Sequence, residues 1–470
     1  MKPEELIEEL ATKLESKNVV LEAYPGWGKT RLATILAERS DSVVIVTRTH
    51  EEMYEILKFS DGRLIPLYGK EKLCPMWNRK GEDMSVYRYC RAARITGLCK
   101  YKYAASHDMI RWFAGRKPRP EEVVEMAKKL GVCPYPSILA LAKSKRIVTT
   151  YGFAFTFKEV LEDKALVVFD ESHEILNVVL GLVEKIDDAY VETLFKALKK
   201  DVETRQLAYF IRACWRKAKN FKEFVEMLER APSSHELIDS IINSVYSKKA
   251  YWSGKEGYVL LYKPNDFRKA GSLFLTAYLP PFFLNLIPNL EIVKVPGEVA
   301  VNVIIDADAT SRYEERSEET YRVYAEKIED YYVANAANLV VFPSYEFMEN
   351  VKRYLPSYIL EKAKPPDAIR ELKDGDIVFD VAGGRSTEGV NPSPLLKRVI
   401  VAGLPYPPPT PELNLMSKIY GFDAVYTYLG LLKVVQAVGR LRFRENADAV
   451  LIDRRYANVK QFFPSYFATT

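Results

Sequence analysis

Residues 23–30 (AYPGWGKT) have the composition of a loop that binds phosphate groups. Gly26 and Gly28 leave room for backbone N–H groups to close around phosphate oxygens, and a helix N-terminus directly after them favours anions. Lys29 is placed to reach the β and γ phosphates of a nucleotide, and the Thr30 hydroxyl is placed to bind Mg²⁺. The predicted nucleotide-binding residues of the loop are Gly26, Trp27, Gly28, Lys29 and Thr30.

The neighbouring segments can position such a loop. Residues 18–22 (NVVLE) predict a short buried strand and residues 30–38 predict a helix, so the loop joins a strand to a helix. A second buried strand is predicted at residues 165–169 (ALVVF) and is followed by two acids. Asp170 would hold Mg²⁺ through water, and Glu171 would orient and deprotonate the water that attacks the γ-phosphate. The phosphate-binding loop and the acidic pair, in this order along the chain, predict an enzyme that hydrolyses a nucleoside triphosphate.

The composition is that of a large globular protein. With 470 residues and 48% hydrophobic residues, the chain is long enough for about three domains of common size. Its first ten residues are acidic and lack an apolar stretch suited to secretion, so we expect the protein in the cytoplasm. The charge-free residues 270–290 contain three prolines, which favours a buried strand and a turn over a membrane span. No membrane partner is therefore expected.

Positive charge is concentrated in residues 71–134. This segment has fourteen Lys or Arg against seven Asp or Glu, whereas the whole chain has a net charge of +5. Aromatic residues lie between the charges: Trp77, Tyr87, Tyr89, Tyr101, Tyr103, Trp112 and Phe113. Cations for phosphates and rings for stacked bases suit a surface that follows single-stranded nucleic acid. A solvated basic face is the alternative that composition leaves open.

Four of the five cysteines fall in the same segment. Fifteen, eight and thirty-three residues separate Cys74, Cys90, Cys99 and Cys133 in turn. Zinc sites prefer closely spaced pairs, and disulfides occur in intracellular proteins of hyperthermophiles. Four thiolates also form the usual ligand set of an iron–sulfur cluster. Spacing alone therefore leaves cluster, zinc and disulfides open, while Cys214, in a helical apolar segment, is interpreted as a packed core thiol.

Further segments follow in a recognisable order. Residues 43–50 (VVIVTRTH) resemble motif Ia of helicases, residues 340–345 (VVFPSY) resemble motif IV, and residues 436–440 (QAVGR) resemble motif VI. Residues 383–389 (GGRSTEG) resemble motif V and are followed by GLPYP at residues 403–407. The loop with Ala23 at its first position and CPY at residues 133–135 complete the pattern. Over nearly its whole length the chain resembles the XPD-like, iron–sulfur-containing DNA helicases of superfamily 2, which include the DinG relatives.

The resemblance implies an α/β fold with two RecA-like P-loop motor domains, in which a cluster domain and a helical Arch domain are inserted in the first. The implied boundaries are 1–70, 135–174 and 256–285 for motor domain 1, and 286–470 for motor domain 2. Residues 71–134 would form the iron–sulfur cluster domain, and residues 175–255 the Arch domain. Alternating strand-like and helical patterns from residue 337 onward support the second motor domain.

The resemblance also implies roles for individual residues. ATP would bind between the motor domains, with Arg440 neutralising charge on the γ-phosphate and Gln436 lining the same cleft. Further implied ATP-binding residues are Glu388, Gly389, Arg442 and Arg444. The implied ligands of a [4Fe-4S] cluster are Cys74, Cys90, Cys99 and Cys133. The implied contacts to the DNA backbone are Thr47, Arg48, Thr49, Ser344 and Tyr345.

The implied function is that of a helicase using ATP and Mg²⁺, translocating 5′ to 3′ on single-stranded or forked DNA in DNA repair. One alternative is a motor stabilised by zinc or disulfides. Another is an ATPase switch that clamps or remodels DNA without processive unwinding.

Four positions depart from the family pattern. Lys2-Pro3-Glu4-Glu5 replaces the segment that reads adenine, which weakens the expected selectivity for ATP. Residues 275–279 (LTAYL) take the place of motif III, and Tyr278 replaces a small residue there. Asn391 replaces an acid at the end of motif V, and Phe443 stands where motif VI has a second arginine. We expect Arg442 or Arg444 to supply that arginine if the helix before it ends early.

Overall fold

A computed structural model describes residues 3–60, 64–77, 86–95, 97–113, 116–175, 184–186, 188–199, 202, 204–219, 221–231, 250–253, 258–261, 267–279, 286–295, 301–387, 392–441 and 447–469. The strands of these residues are β1 (Asn18–Glu22), β2 (Val43–Thr47), β3 (Ile65–Pro66), β4 (Arg146–Thr150), β5 (Leu166–Phe169), β6 (Glu184–Ile186), β7 (Ala250–Ser253), β8 (Tyr258–Leu261), β9 (Ser272–Thr276), β10 (Leu290–Lys294), β11 (Val301–Asp306), β12 (Ala337–Phe342), β13 (Ala363–Lys364), β14 (Ile377–Val381), β15 (Leu396–Ala402), β16 (Asp448–Ile452) and β17 (Phe467–Thr469).

The α-helices of the described residues are α1 (Ile7–Leu14), α2 (Lys29–Arg39), α3 (His50–Phe59), α4 (Lys70–Leu73), α5 (Val86–Ile95), α6 (His107–Phe113), α7 (Pro120–Leu130), α8 (Pro134–Leu141), α9 (Tyr151–Thr156), α10 (Glu159–Glu162), α11 (Asp188–Leu198), α12 (Arg205–Lys217), α13 (Phe221–Leu228), α14 (Glu318–Tyr331), α15 (Tyr345–Lys352), α16 (Ser357–Leu360), α17 (Pro411–Tyr420), α18 (Tyr428–Val438) and α19 (Arg455–Val459). A π-helix, Asp423–Thr427, precedes α18.

Two sheets of seven strands form the framework. The first has the order β10-β1-β9-β5-β2-β4-β3, and the second has the order β13-β14-β12-β15-β16-β11-β17. All neighbours in the second sheet run parallel. Every residue of β1, β2, β9, β12 and β14 is buried, because helices cover both faces of such sheets. The predicted α/β class with two parallel sheets is confirmed.

By its internal contacts the chain divides into two compact units. One contains Met1–Leu36, Val168–His173 and Arg268–Thr470, and the other contains Ala37–Val167 and Glu174–Phe267. The first unit carries the second sheet and a core in which Tyr324, Phe342 and Phe347 are fully buried. It also carries the phosphate-binding loop and the acidic strand end.

The second unit contains the cysteine-rich segment and the segment predicted to be helical. Helices α11 to α13 pack around a small apolar core that includes Cys214, as predicted for that thiol. Three short antiparallel strands, in the order β6-β8-β7, accompany these helices. The region predicted as a helical Arch domain, residues 175–255, therefore also contains strands β6 and β7, and their partner β8 lies just after this range.

Sequence patterns predicted several elements within one or two residues. The first predicted strand matches β1, and the predicted helix after the loop matches α2. The charge-free residues 270–290 contain the buried strand β9, as expected, and no described helix is long and apolar enough to cross a membrane. One difference concerns β10, which pairs with β1 in the first sheet although it lies beyond the boundary predicted at residue 285.

Candidate active site and cysteine cluster

The phosphate-binding loop connects β1 to α2. Gly26 and Gly28 have φ angles of +86° and +109°, which only glycine adopts without strain. The buried Lys29 side chain turns back over the loop, and its Nζ donates to the carbonyl oxygens of Ala23 at 2.9 Å and Tyr24 at 3.3 Å. Burial lowers the pKa of Lys29, while the carboxylates of Glu171 and Asp170 work in the opposite direction.

The acidic strand end lies beside this loop. The Thr30 hydroxyl donates to Asp170 Oδ2 over 3.2 Å, so the two residues predicted to hold Mg²⁺ are brought together. Hydroxyl and carboxylate oxygens are ligands that Mg²⁺ accepts, and the buried Asp170 supplies the negative charge. The donor set therefore fits this ion.

Glu171 is held in an unusual conformation next to Asp170. Its φ angle is +47°, in the left-handed region, and its N–H donates to Asp170 Oδ1 over 3.1 Å. Such backbone strain is concentrated at functional sites. The turn after β5 therefore has the geometry expected of a catalytic segment.

His173 connects Glu171 to the helix that carries motif VI. Its Nδ1 lies 3.3 Å from Glu171 Oε2, and its Nε2 lies 3.5 Å from Gln436 Nε2. The ring is almost fully buried. Sequence reasoning assigned His173 no role, although its position three residues after the strand-ending Asp170 was visible. Only the structure brings its ring between Glu171 and Gln436.

Motif VI reaches the phosphate-binding loop through the end of α18. The helix ends at Val438 and continues as a 3₁₀ turn over Gly439–Leu441. A Cβ atom on Gly439 would lie 2.6 Å from Pro25 Cγ, so only glycine fits this contact with the loop. Arg440 Nε donates to Gln436 O over 3.4 Å. The α-helix thus ends before Arg442, which is the condition under which we expect Arg442 or Arg444 to supply the second arginine, but Arg442, Phe443 and Arg444 lie outside the described residues.

The N-terminal segment covers the loop from another direction. A Cβ atom on Gly28 would lie 2.9 Å from Pro3 Cγ, and Glu4 forms an ion pair with Arg31 at 2.7 Å. The segment that departs from the adenine-reading pattern thus packs on the nucleotide-binding loop.

Motif V is held by a buried carboxylate that the sequence did not indicate. Asp380 Oδ2 accepts from the N–H of Ser386 at 2.8 Å and from its Oγ at 2.6 Å. A Cβ atom on Gly384 would lie 2.1 Å from Asp380 Oδ1. The loop is therefore fixed through Thr387, whereas Glu388, Gly389 and Asn391 lie outside the described residues.

Tyr278 in motif III connects β9 to elements around the second sheet. Its hydroxyl donates to Phe462 O over 2.6 Å, and its ring stacks on Tyr428 with centroids 5.1 Å apart. Tyr466 adds a third contact, because its hydroxyl donates to Ala277 O over 2.7 Å. Tyr278, the large residue in motif III, thus makes specific contacts that a small residue at this position could not make.

Two of the residues predicted to contact DNA cap helices. Thr49 caps α3 by accepting from the N–H of Glu52, and Ser344 caps α15 by accepting from Phe347 N. Thr47 is fully buried and its hydroxyl donates to Thr49 O over 3.0 Å, so a side-chain contact to DNA requires rearrangement.

The two remaining predicted residues are more open. The Arg48 side chain lies 3.3 Å from Glu52 and 3.9 Å from Glu174. Tyr345 is 63% exposed. All five DNA assignments stay predictions.

The four cysteines of the basic segment approach one another. Burial raises the pKa of Cys133 to about 11, and the thiols of Cys74, Cys90 and Cys99 add to this rise. All five cysteines of the chain are free thiols, which does not support the disulfide alternative. Among the described Cys, His, Asp and Glu side chains, no three are gathered as ligands of a single metal ion.

Some rings of the basic segment are already covered by its own cations. The Arg94 guanidinium lies 3.7 Å from the centroid of the Tyr103 ring, and Arg116 lies 5.6 Å from that of Trp112. Lys70 Nζ lies 4.5 Å from the centroid of Tyr135. The first two contacts are cation–π pairs within the segment, and the third joins the two residues that flank it, so its aromatic composition has a structural use as well.

Comparisons with known proteins find similarity to helicases. Residues 328–470 match the family described as helicase C-terminal domain. The chain is 24% identical over 529 aligned residues to the ATP-dependent DNA helicase XPD of Sulfolobus acidocaldarius, covering 94% of this chain and 93% of that protein. It is 34% identical over 149 residues to the ATP-dependent DNA helicase chl-1 of Caenorhabditis elegans, covering 25% and 18% respectively.

Solved structures show the same fold. One XPD helicase structure has a TM-score of 0.64 at 21% identity, with 100% of this chain and 98% of that chain covered. Xpd4 of S. tokodaii has a TM-score of 0.55 at 17% identity, with 100% and 99% covered. The resemblance predicted from the motifs is therefore confirmed over nearly the whole chain.

Proposed function

We propose that this XPD-like chain is an ATP-dependent DNA helicase that requires Mg²⁺. The observation that carries the proposal is the meeting of Thr30, Asp170 and Glu171 with the motif VI helix through His173. Hydrolysis needs these groups in one place, and none of them is adjacent in sequence to motif VI. The site therefore couples a nucleotide-binding loop to a second motor element.

Each residue has a definable part in hydrolysis. The loop N–H groups and Lys29 would bind the phosphates, and Mg²⁺ held by Thr30 and Asp170 would neutralise charge between them. Glu171 would accept the proton of the attacking water, with His173 orienting its carboxylate. Arg440 would approach the γ-phosphate when the two motor elements close. Opening after product release would then move the DNA grips relative to each other.

The finer assignments belong to the same proposal. They are 5′-to-3′ translocation, action on single-stranded and forked DNA, and a role in DNA repair. The family resemblance supports them, and the excess of positive charge in residues 71–134 supports a nucleic-acid partner.

A [4Fe-4S] cluster held by Cys74, Cys90, Cys99 and Cys133 also belongs to the proposal. Four free thiols that interact with one another fit its ligand set. The cluster would stabilise a small domain that has little apolar core of its own.

The test is ATP hydrolysis by anaerobically purified protein, with and without single-stranded DNA, together with unwinding of forks that bear 5′ or 3′ tails. We expect DNA to stimulate hydrolysis and only the 5′ tail to support unwinding. Unwinding only from the 3′ tail would support the helicase activity but contradict the assigned 5′-to-3′ polarity. A rate of ATP hydrolysis that does not change when DNA is added would contradict the proposal as a whole.

The contacts of Tyr278 favour a second candidate function. A ring that ties β9 to Phe462 and Tyr428 could hold the motor elements in one arrangement, as in an ATPase switch that clamps DNA. DNA-stimulated hydrolysis without strand separation on either fork would support this switch over the helicase.

A further inference from the structure

A cleft of about 380 Å³ opens beside the start of α18. Aromatic rings form most of its wall: Tyr278, Tyr420, Phe422, Tyr428 and Phe462. Gly421, Asp423, Ala424 and Thr427 complete the lining. This volume falls in the range of small-molecule sites, which combine apolar walls with a few polar groups. None of these residues belongs to the ATP site described above.

The most exposed ring of the wall is held in a fixed orientation. Phe422 is 54% exposed, yet it stacks on Tyr426 with centroids 5.0 Å apart and meets the edge of Tyr406 at 5.9 Å. A ring that is already ordered loses little side-chain entropy when a ligand stacks on it. Phe422 therefore offers a prepared stacking surface.

The backbone next to Phe422 is also unusual. Residues 423–427 form a π-helix, a conformation that occurs mostly as single turns and frequently at functional sites. The turn places Asp423 and Thr427 together, and the Thr427 hydroxyl donates to Asp423 Oδ1 over 2.9 Å. A regular α-helix would present a different set of side chains to the cleft.

The charge of the cleft restricts its ligand. Among its nine lining residues, Asp423 carries the only formal charge. A carboxylate repels phosphate and accepts hydrogen bonds from amino groups, such as those on the edges of cytosine and adenine. A purely apolar ligand would add no hydrogen bond to this carboxylate, which already accepts one from Thr427. Flat shape, ring stacking and an amino edge together describe a nucleobase.

We propose that this cleft binds one nucleobase of a DNA single strand, stacked on Phe422 with its polar edge toward Asp423. The inference rests on the proposed function, because it assumes that single-stranded DNA is the partner. Base stacking on protein rings tolerates every base, whereas the carboxylate adds a preference for bases that carry an amino group.

The cleft lies next to elements of the ATP site. Tyr278 belongs to motif III, and Tyr428 begins the helix that carries Gln436 eight residues, or about two turns, later. The two rings stack on each other inside the cleft wall. A base that enters or leaves the cleft would therefore contact the start of the helix whose other end meets the phosphate-binding loop at Gly439.

Binding of fluorescently labelled oligo(dC), oligo(dA) and oligo(dT) to the full chain tests the proposal. We expect Phe422→Ala to weaken binding about 5- to 100-fold, the usual effect of losing one stacked base. The salt dependence of binding should stay unchanged, since phosphate contacts are kept. Phe422→Tyr should restore affinity, and Asp423→Asn should remove the preference for oligo(dC) and oligo(dA) over oligo(dT).

The matched control is Tyr313→Ala, because Tyr313 is a 74% exposed ring of the same compact unit outside the cleft. It should leave affinity unchanged. A second measurement uses the unaltered protein: photocrosslinking to oligonucleotides with single 5-iododeoxyuridines should yield peptides from residues 420–428. An unchanged affinity in Phe422→Ala, or crosslinks only outside residues 420–428, would overturn the proposal that the cleft binds a nucleobase. The proposed helicase activity would not be affected by either result. Absence of any DNA binding by the unaltered protein overturns both.

Discussion

At the residue scale, the site depends on how a few side chains are held in place. Glu171 has a left-handed backbone conformation, and His173 lies between its carboxylate and Gln436. A carboxylate that is oriented in advance transfers a proton without a costly rearrangement. Glu171 is therefore the residue whose chemistry can be tested most directly.

The first prediction concerns Glu171. Glu171→Gln keeps the shape of the side chain but cannot accept a proton, so hydrolysis should fall by at least about 10²-fold while ATP still binds. Steady-state turnover and binding of a fluorescent ATP analogue measure the two effects. Glu174→Gln is the control and should hydrolyse ATP normally, whereas Lys29→Ala should impair both steps. Normal turnover in Glu171→Gln would show that the base is another residue.

The second prediction concerns two neighbouring arginines with different surroundings. Arg455 pairs with the fully buried Asp453 at 2.7 Å, whereas Arg454 pairs with Glu315 near the surface. Removing one partner of a buried pair costs about 3–5 kcal/mol, but an exposed pair contributes under about 1 kcal/mol. Arg455→Ala should therefore lower the midpoint of thermal unfolding clearly more than Arg454→Ala. Equal shifts would contradict this distinction.

The same pair predicts a dependence on pH. Burial acts to raise the pKa of Asp453, but hydrogen bonds and the charge of Arg455 hold it below its ordinary value. A carboxyl group with a lowered pKa in the folded state stabilises the fold above its unfolded pKa of about 4. This contribution should be lost as the pH falls below about 4, and Asp453→Asn should show a weaker acid dependence in the same thermal measurement.

At the element scale, the ends of strands and helices carry the function. Strands β1, β5 and β9 end at the loop, the acidic pair and motif III, and the end of α18 meets the loop at Gly439. Parallel strands place their carboxyl ends on one edge of a sheet, which is where such sites form. Tyr278 adds a contact from this edge to the second sheet's elements.

The third prediction concerns that contact. Tyr278→Phe keeps the stack on Tyr428 but removes the hydrogen bond to Phe462 O, which should cost about 1 kcal/mol of stability. Tyr358→Phe is the control, because its hydrogen bond to Glu329 is exposed and should contribute little. Thermal unfolding measures both. If Tyr358→Phe lost as much stability as Tyr278→Phe, the buried hydrogen bond of Tyr278 would contribute no more to stability than an exposed one.

At the scale of the whole molecule, the cysteines lie in two different environments. Cys133 lies with three other thiols in the basic segment, whereas Cys214 lies in the apolar core of helices α11 to α13. Both are buried, so a serine at either position places a hydroxyl in an apolar setting. Only the first should change the metal content.

The fourth prediction follows from this difference. Cys133→Ser should lose iron, acid-labile sulfide and visible absorption, because a cluster needs its four thiolates. Cys214→Ser should keep all three. The measurements are iron and sulfide assays on anaerobically purified protein. Iron retained in Cys133→Ser would contradict the ligand assignment, and zinc found in the unaltered protein would favour the alternative metal.

Local patterns were sufficient for much of the fold and part of the site. Glycines at positive φ, buried apolar runs and the acids after β5 depend on neighbours in sequence, so β1, α2 and β5 were predicted closely. The pairing of β10 with β1 could not be predicted in this way, because it joins residues about 270 positions apart. The small sheet beside α11 to α13 was not predicted, since short strands have weak patterns of their own.

The sequence by itself determined the two halves of the nucleotide site, the four-cysteine set and the order of the motifs. Each of these features is defined by the residue types themselves and their spacing along the chain. Only the tertiary structure decided that His173 contacts Gln436, that Pro3 packs on the loop at Gly28, and that aromatic rings from distant segments form one cleft. The physical reason is that such contacts depend on packing between elements far apart in the chain. Residue identity fixes local conformation and chemistry, whereas the fold selects the partners.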